Sequence, residues 1–351
     1  MKKYLLLTLL SVMVLALAAC GNGGNGEDGS EDQASSDSSE SGSEEQASGE
    51  GEQVTWSLGH LSNEDHIWHT ASEEFASLVE EKTDGQINIE IFPNSQLGGE
   101  VDTINSIRAG NTDMVITGES MENWSPKSAL LAAPYAIRDS EHLQTIVEGD
   151  IGDEIEEDIK KQVGVTPLFY MERAPRNLTS NEPIESPEDL NGFSMRIPNV
   201  PLFMDSWTAA GASPQVMDFS EVFTGLQQNV IDGQENPVDL IHSGGLYEVQ
   251  DYVNETEHVI SWIYVVIGND QWDAISEDQQ ASVMEAAQEV QELAAGLLEE
   301  EVANYRQMLE DEGMEFVEVD TEAFQEAMQP GIENSLDEEQ LDLYQRIIDT
   351  E

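Results

Sequence analysis

The chain has a single cysteine and very little positive charge. Cys20 stands alone among 351 residues, which excludes an internal disulfide and a cysteine-built metal centre. Lysine and arginine number 13 against 72 aspartates and glutamates, a net charge of −59. A surface of that sign repels phosphate backbones, so nucleic acid is excluded as a partner. No P-loop and no Gly-x-Ser-x-Gly nucleophile turn occurs. No repeat with a period of 20–50 residues is present.

What is there divides into three parts. Lys2 and Lys3, an apolar run and then Leu17-Ala18-Ala19-Cys20 form a basic region, a hydrophobic region and a small-residue cleavage site. Residues 1–20 read as a signal peptide, with Cys20 placed as the lipidated cysteine of a bacterial lipoprotein. The run is too short for a stable transmembrane helix. Residues 21–53 are Gly, Asn, Ser, Glu, Asp and Gln with almost nothing apolar, which predicts a disordered acidic tether. A coil of that length spans roughly 30 Å. From Val54 to Glu351 the chain is long enough for two lobes with proper cores. The charge stays with this part. The first 53 residues hold ten acids and two lysines, leaving 62 acids and 11 bases, a net of −51.

The periodicities predict alternating strands and helices. Val54–Gly59 and Gln86–Phe92 read as strands. Between them a helix over 64–82 places Ile67, Ala71, Phe75, Leu78 and Val79 on one face. A helix over 99–109, a buried strand at 113–117, helices at 140–148 and 151–162 and a strand at 163–170 follow. This β-α-β-α order predicts an α/β fold with a largely parallel sheet. Ser276-Glu277-Asp278-Gln279 is a capping box that opens a long helix over 277–312.

The most informative stretch is 193–236. A short apolar strand carries Arg196 and ends at Pro198, which cannot donate to a ladder. Ser220 is placed to cap a helix with Val222, Phe223 and Leu226 on its apolar face, closed by Gly233, and Asn236-Pro237 ends the next loop. A cation, a ring (Phe219) and an amide (Asn236) thus sit at the ends of regular elements, where binding groups are held. The Arg196 guanidinium is a planar fork that fits a carboxylate; the alternative is a structural arginine paired with one of the many acids. Arg173 and Arg176 join it at the boundary between the two halves. His60, His66 and His69, with Glu73 a turn further on, read either as a solvated helix face or as metal ligands without the usual His-Glu-x-x-His pattern. Trp124, Trp207 and Trp262 read equally as core or as cleft lining.

Several of these segments, in order, resemble one family. They are Phe92-Pro93-Asn94-Ser95-Gln96-Leu97-Gly98-Gly99-Glu100, Ala133-Pro134-Tyr135, Ser186-Pro187-Glu188-Asp189-Leu190-Asn191-Gly192, Gly211-Ala212-Ser213-Pro214, Phe219-Ser220-Glu221-Val222 and Asp232-Gly233-Gln234-Glu235-Asn236-Pro237. Together they resemble the DctP-type solute-binding proteins of tripartite ATP-independent periplasmic (TRAP) transporters, over nearly all of the chain beyond residue 53. The resemblance implies a two-lobed periplasmic-binding-protein-like fold with a ligand cleft between the lobes. It places lobe I at 54–173 plus 262–301 and lobe II at 174–261 plus 302–351. Hinges are expected near 172–176 and 260–264, with the long C-terminal helix spanning both lobes. It implies that Arg196 clamps a ligand carboxylate, that Asn236 donates to it, that Arg176 is a second cleft arginine and that Phe219 stacks on the ligand. Glu100, Glu119 and Asn199 fall at polar cleft positions. The implied partners are a small organic acid and the membrane subunits of a TRAP permease, with no metal or cofactor. The implied location is outside the cytoplasm, lipid-anchored to the membrane.

Relatives of this kind take C4-dicarboxylates, sugar acids, sialic acid, keto acids or ectoines. Ser194 is not the bulky aromatic implied for ectoine binders, and Glu100, Glu119 and Asn199 suit hydroxyls, which favours a sugar acid such as a uronate over a C4-dicarboxylate. Two other classes stand beside this reading: an extracytoplasmic carbohydrate-acting enzyme with paired carboxylates, and a structural surface lipoprotein that binds no anion. The acidity itself resembles that of proteins working in high salt. A net of −51 on the folded part is poorly screened in dilute buffer. Its melting temperature should therefore rise between low and molar salt, with sodium and potassium chloride equally effective; an unchanged melting temperature would refute the repulsion argument.

Overall fold

A computed structural model describes residues 53–351. The signal segment with Cys20, and residues 21–52 of the tether, lie outside the described residues. The chain runs β1 (Val54–Gly59), α1 (Ile67–Lys82), β2 (Ile87–Phe92), α2 (Glu100–Arg108), β3 (Met114–Thr117), α3 (Ser140–Val147), α4 (Asp150–Asp158), β4 (Val165–Glu172) and β5 (Arg176–Ser180). It continues through β6 (Ser194–Ile197), α5 (Pro201–Ala209), β7 (Ser213–Val216), α6 (Phe219–Gln227), β8 (Gly233–Asn236), α7 (Val238–Ser243), β9 (Tyr252–Val259) and β10 (Trp262–Gly268). It closes with α8 (Asn269–Asp273), α9 (Glu277–Asp311), β11 (Glu315–Glu318), α10 (Thr321–Ser335) and α11 (Glu338–Asp349).

The strands form two sheets, ordered β2-β1-β3-β10-β4 and β11-β9-β5-β8-β6-β7. Neither is largely parallel. β1 runs parallel to β2 and β3, but β10 lies antiparallel between β3 and β4. In the second sheet β6 is parallel to β7 and β8, whereas β5 is antiparallel to both β8 and β9. The reason is topological. β10 enters the first sheet directly from β9 of the second, without the crossover helix that a parallel neighbour requires.

The chain passes between the sheets at two adjacent places. Glu172 pairs with Trp262 in the first sheet and Arg176 with Val259 in the second. Between them the Arg173 amide donates to the Ser261 carbonyl at 3.0 Å. α9 is a third link. Its N-terminus carries the Ser276–Gln279 capping box. Val283, Ala286, Val290 and Ala294 pack in the core of the first sheet with Phe75 and Val79 of α1. Tyr305 and Leu309 pack with Val222, Leu226 and Ile241 under the second sheet.

Local sequence explains most boundaries. α1 starts where the His66 ring accepts from the Trp68 amide, and Trp68, Ala71, Phe75 and Val79 form its buried stripe. α5 begins at Pro201, where a missing N–H costs nothing. α10 lies so close to α5 that a Cβ on Gly331 would stand 2.7 Å from the Cα of Ser206. Two expectations shift. α6 begins two residues earlier than a Ser220 cap requires, with Asp218 at its N-cap. Gly233 opens β8 rather than closing that helix.

The last helix also departs from the expected division, which groups 302–351 with the second lobe. α11 packs on the 126–132 segment of the first. Gln340 donates to the Pro126 carbonyl at 2.7 Å, and Arg138 donates to the Ile348 and Thr350 carbonyls. Ion pairs of Lys127 with Glu339 and of Arg346 with Glu154 complete the contact.

Candidate functional site

The parallel register of β6 and β8 sets Arg196 beside Gln234, at the sheet edge that faces the first lobe. Arg196 is 4% exposed. Its Nε donates to the Met217 carbonyl at 2.7 Å, and the guanidinium lies 6.0 Å from the Phe219 ring centre. Among the described residues no carboxylate lies within ion-pair distance of it. Burial pulls its pKa down to about 10, which still leaves it charged near neutral pH. Asn236, at the end of β8, is buried and donates to Gln234 Oε1 at 2.6 Å.

The other two arginines are differently placed. Arg176, 1% exposed, grips Glu235 through Nε and through Nη2 at 2.7 Å, and its Nη1 donates to Glu119 at 3.1 Å. Arg173 donates to both Glu119 oxygens at 2.8 and 3.1 Å. Glu235 also accepts from His258 at 3.1 Å, whose other ring nitrogen meets Thr256. Burial would raise the Glu235 pKa, but Arg176 and the His258 bond outweigh it and hold the carboxyl at about 2. Burial likewise opposes ionisation of Glu119, and the charges of Arg173 and Arg176 overcome it. Glu100, half-buried at the start of α2, accepts from Ser120 at 3.1 Å. Burial and the neighbouring Glu119 charge push its pKa up.

Two small adjoining cavities, of about 30 and 20 Å³, lie between the sheets. Arg196, Glu100 and Phe219 border both. Arg176, Glu119 and Asn236 border the inner one with Arg173, and Asn199 borders the outer. All seven residues expected from the sequence therefore meet in one cleft. The lobes touch around its rim. Asn123 donates to the Asn199 carbonyl at 2.8 Å, the Leu202 amide donates to Glu122 at 3.3 Å, and His66 meets Asp239 at 3.0 Å. A Cβ on Gly99 would lie 2.9 Å from Asp218 Oδ1, so a larger residue here would push the Asp218 carboxylate aside.

Trp207 and Trp262 are core residues, and Trp124 sits half-buried under Arg108; none borders these cavities. Trp68 does, 5.6 Å below Arg173, and sequence reasoning passed it over. Ser95, Ser120 and Asp218 also line the outer cavity; Ser95 stood inside a motif without being singled out, and Ser120 and Asp218 lay outside the motifs. The histidines are not a solvated face. His60 and His66 are buried, and His60 bonds His69 at 3.1 Å and Ser62 at 2.9 Å. Among the described residues no three His, Cys, Asp or Glu side chains converge as metal ligands.

Residues 58–339 match the family model described as DctP, bacterial extracellular solute-binding protein, family 7. The chain belongs to the DctP family of TRAP-transporter solute-binding proteins. A solute-binding protein of Roseobacter denitrificans is 51% identical over 288 residues, covering 82% of this chain and 89% of the relative. The crystal structure of a TRAP periplasmic solute-binding protein from that organism with bound L-galactonate superposes with a TM-score of 0.83 at 50% identity. It covers 84% of this chain and 99% of its own. One from Xanthobacter autotrophicus with bound β-D-galacturonate gives a TM-score of 0.81 at 27% identity, covering 84% and 100%. Like these DctP-family structures, the chain has two α/β lobes and a long C-terminal helix.

The Glu235 pair makes a pH forecast. Its folded pKa is depressed from about 4.5 to about 2, so its contribution to stability is present above pH 4.5 and is lost as pH falls towards 2. Glu235→Gln, which leaves Arg176 half-paired, should destabilise the protein by about 3–5 kcal/mol near neutral pH. Thermal melts of both proteins across this range should converge as the wild-type carboxylate protonates; a constant gap would contradict the assignment.

Proposed function

We propose that this solute-binding protein captures a sugar acid with one carboxylate, an aldonate or a uronate, and delivers it to the membrane subunits of a TRAP permease. The observation that carries the reading is that Arg196 is buried at the cleft with no carboxylate partner among the described residues, while Arg173 and Arg176 are already paired. A buried cation without an internal anion is costly unless a ligand supplies one. The ligand carboxylate lies between the Arg196 fork and the Asn236 amide, and Phe219 covers the sugar carbons. Glu100 and Asn199 bond its hydroxyls. The sugar acids bound by the Roseobacter and Xanthobacter proteins support this ligand class. The lobes open and close about 172–176 and 260–264, the two places where strands pass between sheets.

The match to a family of extracellular solute-binding proteins supports a binder over a carbohydrate-acting enzyme. After cleavage Cys20 carries lipid, and residues 21–53 tether the lobes to the outer face of the membrane.

Arg196→Ala should cost about 2–5 kcal/mol of sugar-acid binding, because a desolvated carboxylate loses its partner. Arg196→Lys should recover only part, since an ammonium cannot form the fork. Calorimetry beside melts of the ligand-free variants checks this: a folded Arg196→Ala protein with wild-type affinity would end the clamp. The anchor is checked separately by fractionating cells that express Cys20→Ser. That variant should leave the membrane fraction while its lobes still bind ligand, and retention in the membrane would disprove lipidation at Cys20.

A further inference from the structure

We propose that Glu100 and Asp218 form a charge filter in the outer half of the cleft. The protein would then accept polyhydroxy monoacids and reject diacids built on the same carbon skeleton. The inference rests on the ligand reading above and adds what the far end of the ligand cannot be.

The first step concerns the cations that border the two cavities. They are Arg173, Arg176 and Arg196, and no lysine is among the lining residues. Arg173 and Arg176 are held by Glu119 and Glu235 at 2.7–3.1 Å. Arg196 alone keeps guanidinium donors without a protein carboxylate. One ligand carboxylate satisfies it, and a second has no cation left to meet.

The second step concerns the outer cavity, which Arg196 also borders. Glu100 reaches the outer cavity from the first lobe and Asp218 from the second. Both line this cavity, and Gly99, next to Glu100, lies against the Asp218 carboxylate. Two helix N-termini point here, and by themselves would favour an anion. Both are already answered by acid: Glu100 and Asp102 stand in the first turn of α2, and Asp218 and Glu221 at the start of α6. His60, behind Glu100 in an adjoining cavity, supplies no charge, because burial and the nearby His69 keep its ring neutral, with a pKa of about 3. A second ligand carboxylate in this cavity would therefore meet two carboxyls and no counter-charge beyond Arg196, which the first carboxylate already occupies.

Ligand hydroxyls have the opposite fit. An O–H donates to a carboxylate in a charge-assisted hydrogen bond. Ser95, Ser120 and Asn199 stand beside Glu100 and Asp218 to complete the contacts. The same groups thus attract a polyol end and repel an acid end, which is specificity by repulsion as well as attraction.

The test compares matched ligands by calorimetry: galactonate against galactarate, gluconate against glucarate and erythronate against tartrate. Like-charge juxtaposition costs several kcal/mol, so the wild type should prefer the monoacid of its best pair by about a hundredfold or more. The double substitution Glu100→Gln and Asp218→Asn keeps hydrogen-bonding shape and removes both negative charges. It should narrow that preference by at least about tenfold, through gain of diacid binding. Asp218→Asn alone changes an exposed N-cap residue to another good cap, and should narrow it in part even if the double variant does not fold. Wild-type binding of a diacid within about threefold of its monoacid partner would overturn the proposal, as would folded variants with an unchanged ratio. If no sugar monoacid binds at all, the ligand reading itself fails and takes this filter with it.

Discussion

The cleft depends on the buried pairing of Arg176 with Glu235. It ties the start of β5 to β8 across the antiparallel register that sets Leu178 against Glu235. Through Glu119 it also reaches the first lobe. His258 on β9 holds the far side of the same carboxylate. Neutralising these groups against one another has a functional result. Two arginines that would otherwise compete for a ligand anion are already satisfied, and Arg196 is left as the cleft cation with donors to offer. Isolated charges at this depth would be prohibitively desolvated, so the internal pairs and Arg196, the one cleft arginine without a carboxylate partner among the described residues, belong to one arrangement.

Much of the site was legible because its residues lie in short runs of unusual composition. An arginine in an apolar strand just before Ile197-Pro198, in a chain with 13 basic residues, stands out from its surroundings. Asn236 before Pro237 and Phe219 at a helix start do so as well. Their convergence follows from β6 and β8 being neighbours. The helices were legible for the same local reasons: the stripe of α1 and the capping box of α9 depend on residues three or four apart.

What escaped depends on partners far away in the chain. Arg176 looked like another ligand cation; that it belongs to Glu235, 59 residues on, is a matter of strand register. His66 looked like one face of a solvated helix, but its ring meets Asp239, 173 residues away, in the other lobe. Trp68 had no distinguishing neighbour. The parallel-sheet expectation failed because alternation of strands and helices carries no sign that β10 arrives from the second lobe. The return of α11 to the first lobe has the same character, since ion pairs such as Arg346 with Glu154 are invisible in local pattern.

The scarcity of positive charge bears finally on how a ligand arrives. Outside the cleft, Lys82, Lys127, Arg306 and Arg346 are each engaged by acids of the protein. An anion diffusing towards the lobes therefore meets a field of its own sign until it has nearly reached Arg196. Electrostatic steering, which speeds the encounter of opposite charges, here works in reverse. Dissolved ions shorten the range of that barrier to about 10 Å at 0.1 M and about 3 Å at 1 M. The salt of the surroundings then sets the speed of capture, and the medium becomes a working part of the uptake cycle.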